Sequence, residues 1–293
     1  MTNTTVVFYL GAPSTDFNQL TWSLRKDSVL LREQGVLASR PKVYRAVISD
    51  RLMTQQLGEL SDRDREQLLK KLCLGEERSR LILADSSFLD EPQNMLRENR
   101  LYANASRSTQ ELRMLFPDHP VEFMLAIRNP VSLISEVADR LDSAEFTKVA
   151  NEMDFFQPKW SEVVSEIREA NPDSTINIWC YEDSPILWPE ILRTTAGLPA
   201  AVPLSGELDL CATLLGDLAL TRLRRFLAAR PGLQPREKRH IMSAFLEKFA
   251  DQEQVDQDIS LAGVDSELLD EVSNCYFRDF ESCKKIPGIV ALG

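Results

Sequence analysis

Residues 5–18 read TVVFYLGAPSTDFN. The first six are continuously apolar, β-branched or aromatic, and the run stops at Gly11-Ala12-Pro13, which predicts a strand buried on both faces and ended by a turn. A helix is expected next, because Leu20, Leu24 and Leu31 lie near helical spacing and Gly35 stands where a C-terminal cap belongs. Three further strands are expected at 80–84 (RLILA), 121–127 (VEFMLAI) and 175–181 (TINIWCY). Helices fill the intervals. Ser61 predicts the cap of one that runs to Leu74 and ends at Gly75, and others are expected over 106–116, 131–141 and 158–171. Strands alternating with helices imply an α/β fold with right-handed crossovers and a mostly parallel sheet covered on both faces.

Beyond Gly197 the pattern changes to amphipathic helices over 213–230, 235–250 and 265–283, divided by Pro231-Gly232 and by an acidic loop at 251–264. No repeat, low-complexity tract or flexible linker interrupts the chain. Residues 1–293 therefore read as a single domain in which 200–293 form a mostly helical extension.

The 293 residues are 43% hydrophobic and 27% charged, and at that length roughly 75% of the unfolded surface can be buried without metal or disulfide staples. The net charge of −11 excludes a general polyanion binder, so nucleic acid is not expected as a partner. Ten acidic and three basic residues fall in 250–293, which places most of the excess there. Five widely spaced cysteines with no CxxC pair fit a reducing compartment, and with two histidines no ligand spacing predicts a metal site. The first residues lack the positive charge and apolar length of a signal peptide, and no stretch reaches the roughly 20 apolar residues of a membrane span. A cytoplasmic protein is expected.

In parallel sheets, ligands bind where strand ends feed helix N-termini. The loop from Gly11 to Asn18, with Ser14 and Thr15, reads either as a phosphate-binding loop or as a capped helix start. The strand ending at Ile127 leads into Arg128-Asn129-Pro130, with Ser132 and Ser135 in the helix that follows. There Arg128 reads either as a phosphate ligand or as the partner of a carbonyl or carboxylate. Asp85, before Ser86 and Ser87, reads as a general base or as a turn former. The acids of Tyr181-Glu182-Asp183 read as structural.

These pieces in this order resemble the sulfotransferase family of P-loop-like proteins. The resemblance is carried by the strand into Gly-Ala-Pro-Ser-Thr, Gly35-Val36, LILADSSF at 81–88, Leu101-Tyr102, Leu115-Phe116-Pro117 and LAIRNPVSLIS at 125–135. Trp160, IWCYED at 178–183 and FRDFESCKKIPGI at 277–289 extend it over nearly the whole chain. It implies a parallel sheet of about five strands and 3′-phosphoadenosine 5′-phosphosulfate (PAPS) as sulfuryl donor to a hydroxyl or amine. It further implies a donor site at Gly11, Ser14, Thr15, Arg128 and Ser135.

The chain departs from the family's pattern at six positions. Ser14 stands where the family has the lysine that bridges donor and acceptor, and Asp16 where it has a flexible glycine. Phe17 and Asn18 replace two hydroxyls. Glu136 occupies the usual serine position eight residues beyond Arg128, and Ser135, one residue early, is rotated from it by about 100°. Ser86 replaces the glutamate that looks like the base in bacterial members, which leaves Asp85 as the nearby carboxylate; His119, before its strand, reads as a surface histidine. The expectation is a sulfotransferase-like fold with a degenerate PAPS site, acting through an unidentified small-molecule or protein partner. The alternative is an active transferase that draws its cation from Arg25, Lys26 or Arg128 and its base from Asp85. A third reading, an interaction module on the acidic C-terminal helices, competes with 251–271 being a solvated face.

Overall fold

A computed structural model describes residues 3–12, 15, 17–45, 48, 60–141, 143–250, 259, 261 and 263–293. Strand β1 (Thr5–Leu10) leads into helices α1 (Phe17–Arg25) and α2 (Ser28–Glu33), and these into strand β2 (Val36–Ala38). Helix α3 (Asp62–Leu72) precedes β3 (Arg80–Asp85), and a hairpin of β4 (Leu96–Arg97) and β5 (Arg100–Leu101) precedes α4 (Ala105–Met114). Strand β6 (Val121–Ile127) is followed by α5 (Pro130–Leu141), α6 (Ala144–Asn151) and α7 (Trp160–Ala170), and β7 (Thr175–Cys180) by α8 (Ser184–Ala196). The rest comprises α9 (Asp209–Leu214), α10 (Asp217–Ala228), α11 (Pro235–Phe249), α12 (Ser266–Cys283) and β8 (Ile289–Ala291).

The main sheet has the order β2-β3-β1-β6-β7-β8, and every neighbouring pair in it is parallel. Among the described residues it holds six strands rather than the expected five or so; the short edge strands β2 and β8 add to the four read from the sequence. Each central strand alternates between two apolar cores. Val6, Phe8 and Leu10 face one layer with Leu81, Phe123 and Ile178, while Val7 and Tyr9 face the other with Ile82, Met124 and Trp179. The first layer is completed by α3 to α7 and by Val272 and Tyr276 of α12, the second by α1, α2 and α8. A smaller cluster around Leu223 and Met242 joins α10 to α11.

Local chemistry sets the boundaries. Ser61 and Asp64 form a reciprocal capping box at the start of α3, and Gly35, at φ +71°, takes the left-handed position after α2. Pro189 lies inside α8 and has no N–H to give the Pro185 carbonyl; the Cys211 thiol donates to that oxygen instead, at 3.3 Å.

All five cysteines are free thiols, and Cys73, Cys180, Cys211 and Cys283 are buried whereas Cys275 on α12 is exposed. Burial pushes Cys180, Cys211 and Cys283 up to about 12, so almost none of their thiolate forms near neutral pH. A disulfide-exchange reagent at pH 8 is expected to label one thiol rapidly in the folded protein and all five in guanidinium. Loss of the fast phase in Cys275→Ser checks the assignment, and rapid labelling of two or more native thiols contradicts it. Among the described residues, no helix is long and apolar enough to cross a membrane, and no group of His, Cys, Asp and Glu is placed to hold a metal ion.

Candidate functional site at the carboxyl edge of the sheet

Because β3, β1, β6 and β7 are parallel neighbours, their carboxyl ends lie side by side, with Leu10 opposite Asp85 and Ile127 opposite Cys180. This register brings the loops carrying Gly11, Asp85, Arg128 and Tyr181 to one edge. Gly11 is buried there. Ser14 and Asp16, the two departures in the first loop, lie outside the described residues.

Thr15 is fully buried and points inward. Its hydroxyl donates to the Ala12 carbonyl at 2.7 Å, and its own carbonyl accepts from the Tyr9 hydroxyl at 2.9 Å. The side chain that the resemblance assigns to phosphate thus closes its own turn. On the neighbouring strand, the Asp85 carboxylate accepts from the Ser87 amide at 3.1 Å and the Ser87 hydroxyl at 2.9 Å, and pairs with Arg45. This is the turn-forming arrangement of an aspartate at a strand end. Tyr44, beside it, bonds both the amide and the carbonyl of Ala84, and burial raises its pKa above the usual tyrosine range.

Arg128 is 2% exposed although it leaves the end of β6. Its guanidinium pairs with Glu136, two turns along α5, and lies 4.7 Å from the centre of the Tyr181 ring. Its carbonyl accepts from the Trp160 indole at 2.7 Å. Glu136 also pairs with Arg140 at 2.7 Å and keeps 30% of its side chain in solvent. Ser135 is buried, on a different face of α5 from Glu136.

Asn129 starts α5. Its side-chain oxygen accepts from the Val131 amide at 3.0 Å, the capping geometry that Asn favours, with Pro130 at the first helical position. Its own amide donates to Glu182 at 2.9 Å, and its side-chain amide to Ser273 of α12 at 2.8 Å. The Tyr276 hydroxyl lies 2.7 Å from Glu182 and 3.0 Å from the Ile127 carbonyl, and burial raises its pKa strongly. Helix α12 is therefore fastened across the ends of β6 and β7, and Asp279 on it accepts from the Ser161 amide at 3.1 Å in the first turn of α7. Sequence reading did not find Ser273, Tyr276 and Asp279. Their one signal is that they sit three residues apart along one side of a helix.

The chain matches no protein-family model and no curated protein.

Proposed function

We propose that this chain is a sulfotransferase-type α/β protein whose nucleotide-donor site is closed by its own side chains, so that it works by binding rather than by sulfuryl transfer. The observation that carries this reading is the ion pair between buried Arg128 and Glu136. The described side chains do not fit a 3′-phosphate: the guanidinium that would grip it already holds a carboxylate. A ligand phosphate must displace a partner tethered two helical turns away, whose local concentration is set by the helix. A phosphate about 4 Å from the Glu136 carboxylate would meet repulsion of order 4 kcal/mol per charge pair at an effective dielectric near 20, roughly a thousandfold in affinity. The inward hydroxyl of Thr15 and the bonds that occupy both Asp85 oxygens support the same reading.

The test is calorimetric titration with adenosine 3′,5′-bisphosphate, run in parallel on the native protein and on Arg128→Gln. The two isotherms are expected to coincide. Micromolar binding that Arg128→Gln removes would overturn the proposal and return the protein to the active transferases.

A further inference from the structure

A groove of about 370 Å³ runs along the outer edge of β2, lined by Arg25, Arg32, Arg40, Arg78, Ser39 and Glu76 over an apolar floor from α2 and β2. Arg25 closes α1 and Arg78 precedes β3, so this end of the groove lies on the amino edge of the sheet, opposite Gly11 and Arg128. Among the described lining residues, four guanidinium groups face a single carboxylate. Glu76 is shared between Arg32, at 2.6 Å, and Arg78. Among the described residues, neither Arg25 nor Arg40 belongs to an ion pair. A local excess of three positive charges is a marked reversal in a chain of net charge −11.

The burial of Arg78 and Ser39 separates the groove from an ordinary basic surface. The Arg78 side chain is only 7% exposed, yet its Nε has no hydrogen-bond acceptor, and the buried Ser39 hydroxyl also lacks a partner. A buried guanidinium is stabilised by full pairing, and among the described residues its carboxylate partner is divided between two arginines. What the groove lacks is negative charge carrying several acceptor oxygens. A tetrahedral oxyanion supplies both, and planar guanidinium forks match its geometry.

We infer that the β2 groove is a binding site for a small phosphate or sulfate ester, with its anionic group among Arg25, Arg40 and Arg78 and its organic part on the apolar floor. The modest volume of the groove and the acidity of the chain favour a small ligand over a polyanion. The site does not rest on the function proposed above.

Thermal-shift and calorimetric titrations at fixed ionic strength, with inorganic phosphate and phenyl phosphate as probes, test the inference. Phenyl phosphate is expected to bind more tightly than inorganic phosphate, because only the ester reaches the floor; equal affinities would overturn the assignment of the organic part. The double variant Arg25→Gln/Arg40→Gln is expected to weaken binding at least tenfold, about the worth of one charge-assisted hydrogen bond, whereas Arg128→Gln leaves it unchanged. Protection of Arg40 from phenylglyoxal by phenyl phosphate reads the same contact without a variant. Absence of a response at millimolar ligand, dependence on Arg128, or binding confined to heparin and polyglutamate would each overturn the inference.

Discussion

Glu136→Gln is expected to destabilise the free protein by about 2–3 kcal/mol, and then to acquire an anion-binding site that the native protein lacks. Removing the carboxylate strands a buried guanidinium, a loss that reaches roughly 3–5 kcal/mol where both partners are fully buried. The smaller figure applies because Glu136 retains 30% of its side chain in solvent, so part of the attraction is already screened. Near the transition this amounts to a fall of about 5 °C in Tm. Adenosine 3′,5′-bisphosphate is expected to restore that loss by mass action, and Glu136→Gln/Arg128→Gln to show no such recovery. A variant as stable as the native protein, with no ligand response that depends on Arg128, would remove the ion pair as the element that closes the site.

Trp160→Ala is expected to cost about 4 kcal/mol, or roughly 7 °C in Tm, the largest effect of any single substitution near the site. The indole is fully buried, packs 5.8 Å from the Tyr102 ring, and donates to the carbonyl of Arg128. Its removal leaves both a cavity and an unmet carbonyl at the end of β6. Trp160→Phe separates the two: it refills much of the space but not the hydrogen bond, and about 1 kcal/mol of loss is expected from it. Chemical denaturation of both variants checks the split. Equal losses would mean that the hydrogen bond, rather than the ring volume, dominates.

The elements legible in the sequence were those whose own residues carry a sufficient signal. TVVFYL, RLILA, VEFMLAI and TINIWC are apolar on both faces and form β1, β3, β6 and β7, and Ser61 and Gly35 act as the caps their chemistry predicts. The last of these strands ends at Cys180 rather than Tyr181, where a 3₁₀ turn begins. The short strands β2 and β8, of three residues each, carry no periodicity. Helix α8 was hidden by Pro189, whose defect is repaired by Cys211 from another element, and the expected helix over 213–230 divides at Gly216 into α9 and α10. The site shows the same division. Position at a strand end could be read for Arg128 and Asp85, but partner choice could not. Arg45 lies forty residues before Asp85, and Tyr276 reaches the end of β6 from the far end of the chain. Glu136 stood out as a residue of the wrong chemistry, but only the turn of α5 aims its carboxylate at Arg128.

The place of β1 at the centre of the sheet has a consequence for how the protein is made. It precedes its neighbours in the chain, pairing with β3, from residue 80, and with β6, from residue 121. At roughly 5–20 residues per second, on the order of ten seconds pass between the emergence of β1 and that of its second neighbour. Through that interval a segment apolar on both faces lacks its β6 partner and the complete helical layers that cover it. Such strands are prone to associate with one another. Production at low temperature, or with a holdase chaperone present, is therefore expected to raise the soluble yield, and a yield unchanged by either condition would contradict this.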